Sequence, residues 1–267
     1  MLNDITIGQY VKGNSILHRL DPRTKIIGML GIMVALFLIN KWTGLIYAAV
    51  VVFAVLALSK VSISYYVKGI KPLLFILVFT ALIQLFFTPG TVLWQWGILH
   101  ITKEGIRMAV FMCSRLVLLI LTTSVLTLTT TPIQLTDAVE NLLSPFKRFG
   151  LPAHELAMMM SIALRFIPTL IDETDNIMKA QASRGAAFDE GGLINRAKAL
   201  LPILVPLFLN AIKRAEELAM AMEARCYHGG EGRTRLHELQ YERVDYRAFA
   251  VLVVIILLGI ATRWVAF

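Results

Sequence analysis

The chain has 267 residues, 57% apolar and only 16% charged, with a formal net charge of +8. Ordinary soluble domains carry about 45–50% apolar and about 25% charged residues, so this composition excludes a protein wetted on all sides: part of the outside faces lipid. The basic residues sit in short segments between apolar runs rather than in a stripe with interleaved aromatics, which favours an anionic membrane face and argues against nucleic acid.

The first 25 residues are polar, without the apolar core of a cleavable leader. Apolar runs follow at residues 26–39, 42–58, 73–88 and 108–128, and a fifth closes the chain at 248–266. A bilayer core of about 30 Å takes roughly 20 helical residues, so with their flanks these runs predict about five transmembrane helices in an all-α polytopic protein. Trp42, Trp94, Trp96 and Trp264 stand at run ends, where amphipathic rings favour the membrane interface. Asn40-Lys41 with Gly44 predicts a tight turn between the first two spans, and residues 59–71 read as a loop. Pro72 and Pro132 fall at span boundaries, where a missing N–H does least harm.

Between residues 132 and 247 the character changes, with 14 Lys/Arg against 15 Asp/Glu mixed among apolar residues. The chain thus divides into an N-terminal region at 1–131, a charged module at 132–247 and a last span at 248–267. Helices are expected in the module at about 133–148, 153–185 and 193–227. Thr131-Pro132 and Leu151-Pro152 mark the starts of the first two, residues 186–192 form a turn, and the glycines after His228 end the third. Residues 156–171 and 200–212 are apolar enough to pass as spans. Both are short, contain Pro168 or Pro202 and Pro206, and run straight into charged halves. Long helices, buried at one end and meeting water or a partner at the other, are the simpler expectation. Basic residues are more numerous in the N-terminal segment, 59–71 and the module than in the opposite loops. The positive-inside rule then puts the N-terminus and module in the cytoplasm and the C-terminus outside.

Enzyme signatures are missing: there is no metal-binding HExxH, no nucleophile elbow and no phosphate-binding loop. Cys113 and Cys226 are too far apart for a disulfide framework or metal-ligand spacing, and the five His have no ligand spacing either. No catalytic residue, bound cofactor or metal is therefore expected. Arg115 is the one charge inside the first four spans; it either pairs within the bundle or marks a pathway. A repeated feature is more informative. Ala182-Ser183-Arg184-Gly185 ends the second module helix and Ala224-Arg225-Cys226 ends the third. Small residues let a helix tip enter a groove, Arg at a C-terminus suits the helix dipole, and its planar fork can hold a partner carboxylate with two hydrogen bonds. Ordinary capping explains one such end; two on consecutive long helices suggest equivalent docking tips for two related subunits.

Further motifs lie upstream: Leu20-Asp21-Pro22-Arg23-Thr24-Lys25, Thr129-Thr130-Thr131-Pro132, Glu155-Leu156-Ala157-Met158-Met159-Met160-Ser161 and Leu164-Arg165-Phe166-Ile167-Pro168. In their order and spacing, together with the two Arg ends, the chain resembles the transmembrane (T) component of energy-coupling factor transporters, the EcfT/CbiQ family, and most resembles the shared type that serves several substrate-binding subunits. The resemblance covers nearly the whole chain. It implies a non-catalytic coupling subunit of an ABC-type vitamin or micronutrient importer in a prokaryotic cell membrane. Two ABC-type ATPase subunits, identical or homologous, would carry ATP and Mg, and a membrane-embedded S component would capture the substrate. It further implies that Ala182, Ser183, Arg184, Gly185, Ala224, Arg225 and Cys226 dock the ATPases. Met158–Met160 and the apolar helix halves are candidates for meeting diverse S components, although core packing explains them equally well.

Cys226 departs from the family's Ala-Arg-Gly pattern. Its Cβ disfavours positive φ, so one expectation is that the helix continues past Arg225 and caps at Gly229 or Gly230. If instead a left-handed turn is required there, glycine at 226 should be stabilising. A permease that contacts substrate itself, or a membrane scaffold without an ATPase partner, are the alternatives. The first needs a polar cavity along the spans; the second leaves the paired Arg ends unexplained.

Overall fold

The computed structural model describes residues 10–96, 99–150, 152–186, 193–229 and 239–261. Trp264, Leu151, Gly230, most of the expected turn at 186–192 and the end of the expected last span lie outside these residues. In chain order the helices are α1 (Ile16–Arg19), α2 (Pro22–Leu38), α3 (Trp42–Ser59), α4 (Ile63–Ile70), α5 (Leu74–Phe87), α6 (Lys103–Thr129), α7 (Pro132–Leu143), α8 (Ala153–Ser183), α9 (Leu193–Ala224) and α10 (Arg243–Ala261), with a short hairpin of β1 (Val92–Trp96) and β2 (Leu99–Thr102) before α6. The protein is all-α and polytopic. The segments Trp42–Ser59, Ile63–Phe87, Lys103–Thr129 and Ala153–Ser183 are each long and apolar enough to cross a membrane. Helix α2 has 17 residues, just under a full span. The described part of α10 begins with Arg243, Asp245 and Arg247 before its apolar run.

The chain forms two compact units, one of residues 8–138 with 239–267, the other centred on residues 139–238. In the first, α6 packs against α2, α3, α4 and α5, and α10 against α2 and α3. Leu36, Leu45, Val52, Tyr66, Phe111, Leu121 and Leu128 form its buried core. Helix α6 is rich in hydroxyls, which in lipid must find partners. Thr122, Thr123, Ser124, Thr127 and Thr129 each donate to the carbonyl four residues back, at 2.7–3.2 Å. Gly105 sits where α5 and α6 touch: a Cβ there would lie 2.9 Å from the carbonyl oxygen of Leu85. Arg115 donates to the Ile39 carbonyl at the end of α2 and lies over the Phe111 ring, 4.8 Å from its centroid, so it pairs within the bundle.

Two local expectations change, and a hairpin is added. The turn between α2 and α3 is made by Ile39, Asn40 and Lys41, while Gly44 is buried inside α3. Residues 59–71 are not a loop. Ser62 starts α4, and a 3₁₀ turn at Lys71–Leu73 joins it to α5, seating Pro72 where no helical N–H is needed. Strands β1 and β2 pair antiparallel, with Gln95 opposite His100 and Trp96 opposite Leu99. Thr102 locks the pair to α6 by capping Gly105 N–H and donating to the Thr88 carbonyl.

One carboxylate joins two helix starts. Asp21 is the N-cap of α2, accepting from Arg23 N–H at 2.8 Å. Its own N–H donates to Asp245 Oδ1 at 2.8 Å, and Asp245 Oδ2 accepts from Glu242 N–H at the start of α10, at 2.9 Å, half of a capping box. The Arg23 guanidinium pairs with Asp21, donates to the Leu239 carbonyl and lies over Tyr241. Lys25 reaches the Thr129 carbonyl at the end of α6, at 3.0 Å. The motif 20–25 thus ties α2, α6 and α10 together. Asp245 is 1% exposed, so Asp245→Ala strands the buried Asp21 N–H and the part-buried Glu242 N–H. With about 1.5–3 kcal/mol for each hydrogen bond to a charged group, a loss of about 3 kcal/mol is predicted, visible as a lower Tm in detergent, with Asp245→Asn intermediate.

Candidate functional site: two equivalent helix tips

The second unit is built on α8 and α9, of 31 and 32 residues. At 1.5 Å per residue each is roughly 47 Å long. Helix α7 starts with the reciprocal bonds of a capping box: Gln134 N–H to Thr131 Oγ1 at 3.3 Å, and Thr131 N–H to Gln134 Oε1 at 3.2 Å. Glu140, near its end, holds His154 in the first turn of α8 at 3.0 Å.

Helices α8 and α9 meet at Glu173. One carboxylate oxygen accepts from the Asn210 amide and the other faces Arg214 Nη2 at 3.0 Å. A half-exposed pair of this kind contributes at most about 1 kcal/mol, so its effect is on geometry. Each signature Arg lies 11 residues beyond its helix's member of the pair, Arg184 after Glu173 and Arg225 after Arg214. Both tips therefore extend about 17 Å past the crossing. Sequence reasoning did not single out Glu173 for this crossing. The signal was the equal spacing on two helices.

The ends are the same structure. In α8, Gly185 N–H donates to Ala182 O at 2.9 Å and Ala186 N–H to Gln181 O at 3.1 Å. In α9, Cys226 N–H donates to Glu223 O at 2.8 Å and Tyr227 N–H to Met222 O at 3.0 Å. These are the two bonds of a Schellman motif, and the residue after each Arg is left-handed, with φ of +89° at Gly185 and +55° at Cys226. The expectation that α9 runs on to Gly229 or Gly230 is thereby corrected: α9 stops at Ala224, and Cys226 adopts the conformation that Gly185 adopts, because the second cap bond cannot close otherwise. Gly229 is also left-handed, at +102°, but lies beyond the helix. Ala182, Ser183, Arg184 and Gly185 are exposed, as are Ala224, Arg225 and Cys226. The structure brings each set together at its own helix end. Small side chains flank both guanidinium groups, which leaves room for a groove to close round each tip. Among the described residues, no three of His, Cys, Asp and Glu converge closely enough to hold a metal ion.

Left-handed backbone costs a residue with a Cβ about 1–2 kcal/mol, against roughly 0.5–1 kcal/mol for the extra entropy glycine loses on folding. Cys226→Gly is predicted to stabilise the chain by about 0.5 kcal/mol and Gly185→Cys to destabilise it by a similar amount or more, as read by chemical denaturation.

The cobalt transport protein (CbiQ) family model matches residues 13–236. A relative from Ruminiclostridium cellulolyticum, an energy-coupling factor transporter transmembrane protein EcfT, is 54% identical over 267 residues, all of both chains. Proteins of the same description from Thermosediminibacter oceani and Acidaminococcus fermentans are 55% identical over 248 residues (93% of this chain, 94% of the relative) and 54% identical over 266 residues (99% and 98%). Matches of this length and identity, over the whole fold and both tips, place the chain in the EcfT/CbiQ family of transporter transmembrane proteins.

Proposed function

We propose that this chain is the coupling subunit of an energy-coupling factor importer for vitamins or other micronutrients, of the shared type. The tips of α8 and α9 each dock in a groove of one of two ABC-type ATPase subunits. Arg184 and Arg225 hold partner carboxylates there, and the small residues beside them, with Cys226 in the place of the second glycine, let the grooves close. The observation that supports this most is the equivalence of the two tips: same cap, a left-handed residue after each Arg, same exposure, same reach beyond the Glu173 crossing. A single cap is ordinary; two matched ones fit two matched partners. ATP and Mg are bound and turned over in the ATPases, and this chain contributes no catalytic group. Closure of the ATPases moves both tips, and the crossing passes that movement up α8 and α9.

The upper parts of those helices suit the other partner. Phe208 is 66% exposed, and Leu201, Leu204, Val205, Leu209, Met159 and Met160 are exposed as well. An apolar surface of this kind needs lipid or protein against it, and a membrane-embedded S component is the occupant proposed. The excess of basic residues in the N-terminal segment, residues 59–71 and the charged module supports a cytoplasmic N-terminus and tips and an outside C-terminus.

Co-purification from membranes containing both ATPase subunits tests the reading. Arg184→Glu with Arg225→Glu is predicted to lose both ATPases while still inserting in the membrane, and either single change to retain one. Unchanged recovery of both would mean that the Arg ends are only caps.

A further inference from the structure

In the first unit a cavity of about 340 Å³ opens between α2, α3, α6 and α10, within the size range of ligand pockets. Its walls are apolar, including Met29, Ile32, Val55, Val125, Val251 and Ile255. Apart from Thr122, whose hydroxyl is spent on the Leu118 carbonyl, its polar groups gather at one end: Thr24, Lys25, Thr129 and Arg247. Thr24 is 5% exposed, yet its Oγ1 has no hydrogen-bond partner among the described residues. A buried hydroxyl is rarely left so. Lys25 spends donors on the carbonyls of Thr129 and His18 and retains a third, since an ammonium has three. Arg247 is exposed, and no carboxylate pairs with it among the described residues. The nearby acids are already engaged: Asp21 by Arg23, and Asp245 by two backbone N–H groups. This end of the cavity is therefore cationic and short of acceptors.

Its place in the bundle is equally informative. The starts of α2 and α10 and the ends of α3 and α6 lie at this end, with Arg19, Arg23 and Lys60 in the adjoining segments. That is headgroup depth at the more basic end of the spans. An apolar slot below cationic donors and an orphaned hydroxyl matches one class of molecule.

We infer that this crevice binds one anionic phospholipid, with an acyl chain between α2 and α10 and its phosphate at Thr24, Lys25 and Arg247. The phosphate supplies the acceptor that Thr24 Oγ1 lacks and balances Arg247, and the acyl chain fills the apolar part. A free phosphate makes no use of the apolar walls, and a zwitterionic lipid brings its own cation to a cationic site.

Gly28 provides a clean variant. It lines the cavity, and a Cβ added there meets nothing within 4 Å, so a leucine side chain at 28 starts into the slot from open space. The test is native mass spectrometry of the full chain released from nanodiscs holding equal amounts of phosphatidylglycerol and phosphatidylcholine. One phosphatidylglycerol is expected to remain bound in preference. At about 1 kcal/mol per basic residue near anionic lipid, Arg247→Gln is expected to reduce that preference about fivefold. Thr24→Val is expected to weaken retention, and Gly28→Leu to abolish it while leaving the Tm in place. Equal retention of both lipids would overturn the inference, as would retention unchanged by Gly28→Leu. So would a preference that survives Arg247→Gln and Thr24→Val.

Discussion

Inside a bilayer no water is available to a backbone N–H or C=O, so every such group must be bonded within the protein. This constraint runs through the first unit. It makes the spans helical and turns the hydroxyls of α6 onto their own carbonyls. It gives Arg115 the Ile39 carbonyl, which no helical N–H satisfies. It also explains why one buried carboxylate, Asp245, serves two helix starts. Helix ends are where backbone groups lose their partners, so the chemistry of this chain is concentrated at helix ends.

The paired tips also close their last carbonyls within the chain, although both ends are exposed. A long helix that ends abruptly needs its final carbonyls bonded, by water or by the chain that follows. The Schellman closure does so, at the cost of a left-handed residue. In α8 that residue is glycine and the cost is small; in α9 it is cysteine and the same backbone is held under strain. That the cap forms despite Cys226 argues that the geometry of the end, more than the residue, is what the fold maintains. The Glu173 crossing then sets both ends at equal reach, as the proposed docking to two matched subunits requires.

Much of this was legible in the sequence. The runs at 42–58 and 108–128 became α3 and α6 because uninterrupted apolar residues leave a membrane segment little choice. Thr131-Pro132 began α7 through the capping box its residues promise. Other parts were hidden for physical reasons. Residues 59–71 look like a charged loop, yet Lys68 and Lys71 extend from a helix that a 3₁₀ turn carries past Pro72. The hairpin at 92–102 alternates as Trp-Gln-Trp and His-Ile-Thr, but the tryptophans drew attention as interface anchors. The end of α9 was misread because a Cβ at positive φ is unfavourable locally, and only the two cap bonds outweigh it. The Arg23–Asp21–Asp245 cluster joins positions more than 200 residues apart in the chain, and no local pattern reveals such a contact.

Cys226 offers a direct probe of the central idea, since it is exposed beside Arg225 at the end of α9. The measurement is the rate of maleimide labelling of Cys226 in the isolated chain and in the chain with both ATPase subunits bound, with Ser183→Cys in a Cys226→Ser background reporting the tip of α8. The account predicts fast labelling of both thiols alone and strong, equal protection of both in the complex. Protection of one tip only, or of neither, would contradict two equivalent docking ends.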